Sequence, residues 1–221
     1  MPLSSLRSYL TIAGRSSAEV EVRRSRFICE LERVESEQGA RGFIEGIRSG
    51  SREARHHCTA FILGPDGAIQ RSNDDGEPSG TAGAPMLEVL RGRGVSDVVA
   101  VVTRWFGGVL LGTGGLIRAY GDAVGAGLDA ATLVARELRL EALVDVSHAD
   151  GPRVENALRS HPGTAVVTVD YLGTGVRISA GVEPDGFGEL AGFVASLTSG
   201  AGTVSQGATT WVDAGTPPPI E

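Results

Sequence analysis

Residues Val98–Tyr120 read VVAVVTRWFGGVLLGTGGLIRAY, and the order of residue types in this stretch decides the fold. Val98 to Val102 is an unbroken apolar run with no alternation, as expected of a strand covered on both faces. It passes through Thr103-Arg104-Trp105-Phe106 into Gly107, Gly108, Gly112, Gly114 and Gly115, five glycines within nine residues. Apolar residues then recur at helical spacing (Leu116, Ala119, Tyr120, Ala123, Val124, Leu128, Ala131), which predicts a helix over Leu116 to Leu133. A buried strand that feeds a packed helix through a tight turn belongs to a layered α and β domain.

Upstream, Ala18 to Arg33 alternates apolar and polar residues as two strands around Arg23-Arg24-Ser25-Arg26. Ser36 to Arg48 has Ala40, Phe43, Ile44 and Ile47 at helical spacing, with Ser36 placed to cap the helix. Strands over His57–Leu63 and Ala68–Ser72 flank Gly64-Pro65-Asp66-Gly67, a hairpin turn, and Pro85 opens a short helix. The expectation is a four-stranded sheet covered by the helices over 36–48 and 116–133. Downstream the order is strand 137–147, helix 152–160, strands 165–171 and 176–182, helix 185–197 and strand 203–212. That is the β-α-β-β-α-β order of a ferredoxin-like domain. The reading is an α+β chain of two domains, residues 1–135 and 136–214, with a tail over 215–221 (GTPPPIE) expected to be disordered.

The 221 residues are 41% hydrophobic and 21% charged, within the globular range. No stretch has the roughly 20 uncharged apolar residues of a membrane span, and no export signal is visible. Cys29 and Cys58 form no CxxC pair, so they are expected as buried thiols in a reducing cytoplasm and a zinc site is not expected. The net charge is −7, yet it is unevenly spread. Residues 1–135 carry 15 Arg against 16 acids, a net of −1, and residues 136–221 carry 5 Arg against 11, a net of −6. All the basic residues are Arg, whose planar fork suits phosphate and stacks on bases, although an arginine-favouring genome would give the same composition. An anion-binding face belongs in the first segment.

Three stretches carry candidate chemistry. In Ser72–Pro85 (SNDDGEPSGTAGAP), Asp74, Asp75 and Glu77 lie within four positions and precede a small-residue loop with Thr81 and Gly83 that opens a helix. Free amides at a helix start favour anions, and clustered carboxylates suit a divalent cation; a solvated acidic turn before a capped helix accounts for the same residues. In the glycine-rich stretch, Gly112, Gly114 and Gly115 would bring amides to a phosphate, Arg104 and Arg118 flank them, and Trp105 and Phe106 could stack on bases. The stretch lacks the Gly-Lys-Ser/Thr of a nucleotide loop. A tight structural turn with core aromatics, and an Arg118–Asp122 pair at i,i+4, would explain it equally. In Arg55-His56-His57-Cys58-Thr59, alternation puts His57 and Thr59 on one face and His56 and Cys58 on the other, so neither a metal shared by the two histidines nor a Cys58–His57 nucleophile pair is expected; a hydrogen-bonded structural histidine is the favoured reading, with His57 kept as the candidate base.

These three stretches, in this order, resemble the Impact/YigZ family, with its His-Cys pair on a strand, its "DDGEP-sGTAG-P" loop and its "TR-aromatic-FGG…LG-GGL-RAY" segment. The resemblance spans Arg55 to Tyr120, and residues 20–135 fit the family's first domain. It implies an α/β sandwich shared with a ribosomal protein's second domain and with domain IV of elongation factor G, followed by a smaller ferredoxin-like domain. Leu110 stands where the family often has Lys. Eukaryotic members inhibit activation of the kinase that phosphorylates the initiation factor, through an extra domain absent from this chain.

The resulting expectation is a non-enzymatic, translation-associated regulatory protein that binds RNA or the ribosome, with no cofactor, no metal and no membrane partner. An anionic small-molecule ligand is the further partner considered. The alternative is a metal-dependent hydrolase or phosphoryl-transfer enzyme using Asp74, Asp75 and Glu77, with His57 as base.

Overall fold

A computed structural model describes residues 6–214; the tail expected over 215–221 lies outside the described residues. The described chain forms two compact units, one of residues 6–136 with 213–214 and one of residues 137–212.

The first unit is built on strands β2 (Ser16–Val22), β3 (Ser25–Arg33), β4 (His56–Leu63), β5 (Ile69–Asn73) and β6 (Val98–Trp105), in the order β2-β3-β6-β4-β5. This is a five-stranded sheet rather than the expected four: every strand read in the segment joins it, the short one after the Gly64–Gly67 turn as an edge. The apolar run becomes the centre of the sheet: β6 pairs antiparallel with β3 and with β4, and Val98 to Val102 are completely buried. Alternate residues then serve two layers. Cys58, Ala60, Ile62, Val98, Ala100 and Val102 pack with helices α2 (Gly83–Gly92) and α3 (Thr113–Asp129). Phe61, Leu63 and Val99 pack with helix α1 (Glu37–Gly50) through Ala40.

Ser36 caps α1 as the sequence suggests, its hydroxyl oxygen accepting the Gly39 amide at 3.1 Å. α3 ends at Asp129 rather than Leu133, because Leu133 already begins strand β7 (Leu133–Val146). Strand β1 (Ser8–Ile12) precedes the elements read from sequence and pairs with β7.

The second unit continues along β7 into helix α4 (Gly151–Arg159), strands β8 (Thr164–Leu172) and β9 (Gly175–Val182), helix α5 (Phe187–Thr198) and strand β10 (Thr203–Asp213). β7 pairs with β9 and β10, and β9 with β8. Its own core joins Leu140, Val144, Val154, Leu158, Ile178 and Leu190. Cys29 and Cys58 are free and buried. No helix among the described residues is long and apolar enough to cross a membrane.

Candidate functional site

The three motif stretches meet in the first unit, at the end of the sheet where β6 runs out and α3 begins. Each carboxylate of the acidic loop has separate work there. Asp74 folds back onto the start of α2: its Oδ1 accepts the Ala82 and Gly83 amides at 3.0 and 2.8 Å, and its Oδ2 accepts the Gly80 amide at 2.8 Å. Burial raises the Asp74 pKa, but the three amides together outweigh it and hold the carboxyl below its ordinary value. The amides expected to be open to an external anion are thereby occupied from within. Gly83 is sterically required, since a Cβ there would come within 2.7 Å of the Asn73 backbone nitrogen.

Asp75 faces the other way. Its Oδ1 accepts Arg48 of α1 at 2.9 Å and its Oδ2 accepts the His57 amide at 2.7 Å. The His57 ring Nδ1 is 3.9 Å from the same oxygen, and its buried Nε2 has no partner among the described residues. Thr81 is buried, its hydroxyl donating to the Pro78 carbonyl at 2.7 Å.

Glu77 enters the interior. Its Oε1 accepts Arg104 Nη1 at 2.6 Å and the Tyr120 hydroxyl at 2.8 Å. Tyr120 is fully buried and lies edge-on to Phe27, with ring centroids 5.2 Å apart. Cys58 lines the same cluster, its thiol donating to the Asp74 carbonyl. Burial pushes the Cys58 thiol up to about 12, with the nearby carboxylates adding to it against the Tyr120 hydrogen bond, so this is not an activated nucleophile.

The candidate residues therefore separate into two groups. Asp74, Asp75, Glu77, Thr81, Gly83 and Arg104 are committed to holding the fold, and the three carboxylates point to three different sets of donors. Among the described residues, no group of three His, Cys, Asp or Glu side chains is placed to hold a metal ion. Arg104, read from sequence as an anion contact, is only 7% exposed and lies between the rings of Phe27 and Phe106, 5.4 and 5.7 Å from their centroids.

The outward-facing group is Trp105, Phe106, Gly112, Gly114, Gly115 and Arg118. Arg118 is exposed and, among the described residues, pairs with no carboxylate, Asp122 included. Gly112 is the N-cap of α3, at φ 71°, with no side-chain cap bond. Phe106 is half exposed.

Two residues not singled out from sequence complete this surface. Arg23 and Arg24 form the β2–β3 turn, both in the left-handed region (φ 49° and 67°). Two-residue hairpins of this kind favour Asn and Gly, so two arginines here are atypical. Gly107 seats on this turn: its amide donates to the Ser25 hydroxyl oxygen at 3.2 Å, and a Cβ would fall 2.0 Å from the Arg24 carbonyl carbon. The contact brings the arginine turn beside the aromatic loop. Arg26 follows it, over the Trp105 ring at 5.2 Å and paired with Glu19 at 2.7 Å. The sequence signal was present, a pair of charged residues between two alternating runs, but only pairing fixes which residues are the turn.

A family model described as the Impact N-terminal domain matches residues 23–128. The IMPACT family member YvyE of Bacillus subtilis (strain 168) is 39% identical, across 94% of this chain and 95% of its own. The IMPACT family member YigZ of Escherichia coli (strain K12) is 46% identical across 54% of this chain and 59% of its own. A solved structure described as a crystal structure of a hypothetical protein, 33% identical, covers 90% of this chain and 96% of its own at a TM-score of 0.63.

Proposed function

The chain belongs to the Impact family, and from that premise we propose that it is a translation-associated regulatory protein whose first unit binds RNA or the ribosome without catalysing a reaction. The translation setting is what the family resemblance implies. The observation that carries the binding reading is the arginine turn: Arg23 and Arg24 are exposed, pair with no carboxylate among the described residues, and are held against the loop that bears Trp105 and Phe106. Two uncompensated guanidiniums beside an exposed aromatic, Phe106, suit a phosphate-bearing partner. The second unit, residues 137–212, carries 4 Arg against 9 acids, a net of −5, and is not expected to contribute. Its strand and helix order supports a ferredoxin-like fold there. Two buried, unpaired thiols support a place in the cytoplasm.

The hydrolase alternative draws no support from Asp74, Asp75 and Glu77, since each carboxylate is engaged by protein donors. The test is RNA binding and co-sedimentation with ribosomes by the full chain across a salt series. Affinity that falls with salt, and falls further behind in the Arg23→Ala/Arg24→Ala variant, supports the reading. Salt-insensitive association, or none, overturns it.

A further inference from the structure

We infer that Phe106 is a stacking platform for an unpaired base, so that the RNA taken by the first unit is single-stranded rather than duplex. This rests on the RNA reading above and narrows it. Phe106 is 51% exposed and shares its short loop with exposed Val109 and Leu110, and apolar side chains grouped in water mark a contact surface.

Its ring is also braced. The Arg104 guanidinium lies 5.7 Å from its centroid, and Arg104 is in turn fixed by Glu77 at 2.6 Å and by the Phe27 ring at 5.4 Å. A cation stacked on one side holds the aromatic in place before any ligand arrives, which lowers the ordering cost of binding. Arg104 is thus a positioning residue, acting through Phe106.

The neighbours of the platform supply the other half of a nucleotide's chemistry. Gly107, next in the chain, rests on the Arg24 carbonyl, so the exposed Arg23–Arg24 turn lies beside the loop that carries the ring. An aromatic face beside free guanidiniums matches a base joined to a phosphate. Bases inside a duplex have both faces covered, and protein aromatics reach them only where the strand is unpaired. Val109 and Leu110, 40% and 82% exposed, lie beyond Phe106 and would also suit an acidic, apolar peptide, which the test separates.

The experiment uses the full chain, a short unstructured oligoribonucleotide carrying 2-aminopurine, and the fully paired duplex of the same sequence. The single strand is expected to bind more tightly, with 2-aminopurine fluorescence quenched on binding. Phe106→Ala and Phe106→Leu are expected to weaken it roughly ten-fold and to abolish the quenching, since one base stacked on an aromatic is worth about 1–3 kcal/mol. Phe106→Trp is expected to retain both, and none of the three should alter the salt slope, because stacking releases no counterions. Thermal melting of each variant establishes that it folds.

Equal affinity for strand and duplex, or full binding by Phe106→Leu, would overturn the inference while leaving the RNA reading intact. Displacement of the single strand by poly-glutamate at lower concentration would overturn it in favour of a peptide. Absence of binding to both RNAs at low salt would overturn the RNA reading as well.

Discussion

Arg104 and Glu77 form an ion pair at 2.6 Å in which both side chains are more than nine-tenths buried. The Tyr120 hydroxyl shares the carboxylate, and Phe27 and Phe106 flank the guanidinium. One arrangement therefore joins the acidic loop, the central strand, the long helix and the exposed aromatic. It is buried at its centre and reaches solvent at Phe106.

Removing one partner leaves a buried charge without compensation. Arg104→Ala is expected to destabilise the first unit by about 3–5 kcal/mol, measured by urea unfolding. Replacing both residues with apolar side chains of similar volume (Arg104→Met/Glu77→Leu) should cost less than either single change. Double-variant losses equal to the sum of the singles would show that the pair is not coupled.

The acidic loop is expected to ignore divalent cations. Asp75→Asn loses the charge that meets Arg48 at 2.9 Å, and its melting temperature should drop by the same amount with and without magnesium. A magnesium-dependent gain confined to the wild type, growing with concentration by mass action, would restore the metal reading.

Asp74 links stability to acid pH. Its folded pKa lies below the unfolded value, because its three amide bonds outweigh the effect of burial. Its contribution is therefore fully present above the unfolded value of about 3.9 and disappears as pH falls through the lowered folded value. Asp74→Asn, whose NH2 cannot accept an amide proton, should lose roughly 1–3 kcal/mol at neutral pH. Its unfolding curve should approach that of the wild type in strong acid. Parallel curves down to low pH would contradict this role.

The arginine turn should show opposed effects on stability and binding. Changing Arg23-Arg24 to Asn-Gly relieves two left-handed arginines, at φ 49° and 67°, and is expected to stabilise the fold by about 1 kcal/mol. The same change takes two guanidiniums away from the phosphates, so RNA affinity should drop. The salt slope should become shallower by about 0.7 for each phosphate no longer neutralised. A variant that is more stable and keeps its affinity would place the RNA surface elsewhere.

Gly107 tests the seating of the loop on that turn. A methyl at this position would fall 2.0 Å from the Arg24 carbonyl carbon, so the loop or the turn must move. Gly107→Ala is expected to cost about 1–3 kcal/mol and to weaken RNA binding beyond the stability loss. Gly108→Ala meets no neighbouring atom, though its φ of 85° carries backbone strain, and should affect stability with less effect on binding.

Much of this was legible in the sequence. The uniform apolar run Val98–Val102 could only be a strand covered on both faces, and it is the fully buried centre of the five-stranded sheet. Helical spacing in α1 and the capping Ser36 were local facts, readable because hydrophobic period and cap chemistry act over a few residues. The ordered motifs identified the family for a similar reason, since they lie in one continuous stretch from Arg55 to Tyr120.

What only the tertiary structure decided was the direction of each polar side chain. Asp74, Asp75 and Glu77 are near neighbours in sequence and look like one ligand cluster. Yet Asp74 turns to the amides of α2, Asp75 to α1 and the His57 amide, and Glu77 to Arg104 and Tyr120. Arg104 looked like an anion contact and is instead consumed by a carboxylate 27 positions earlier. Arg23 and Arg24 carried no motif, and became part of the surface only because Gly107, more than eighty residues away, packs on their turn. A buried charge must find its counter-charge wherever the chain brings one, and which arginine stays free depends on contacts that span the whole unit.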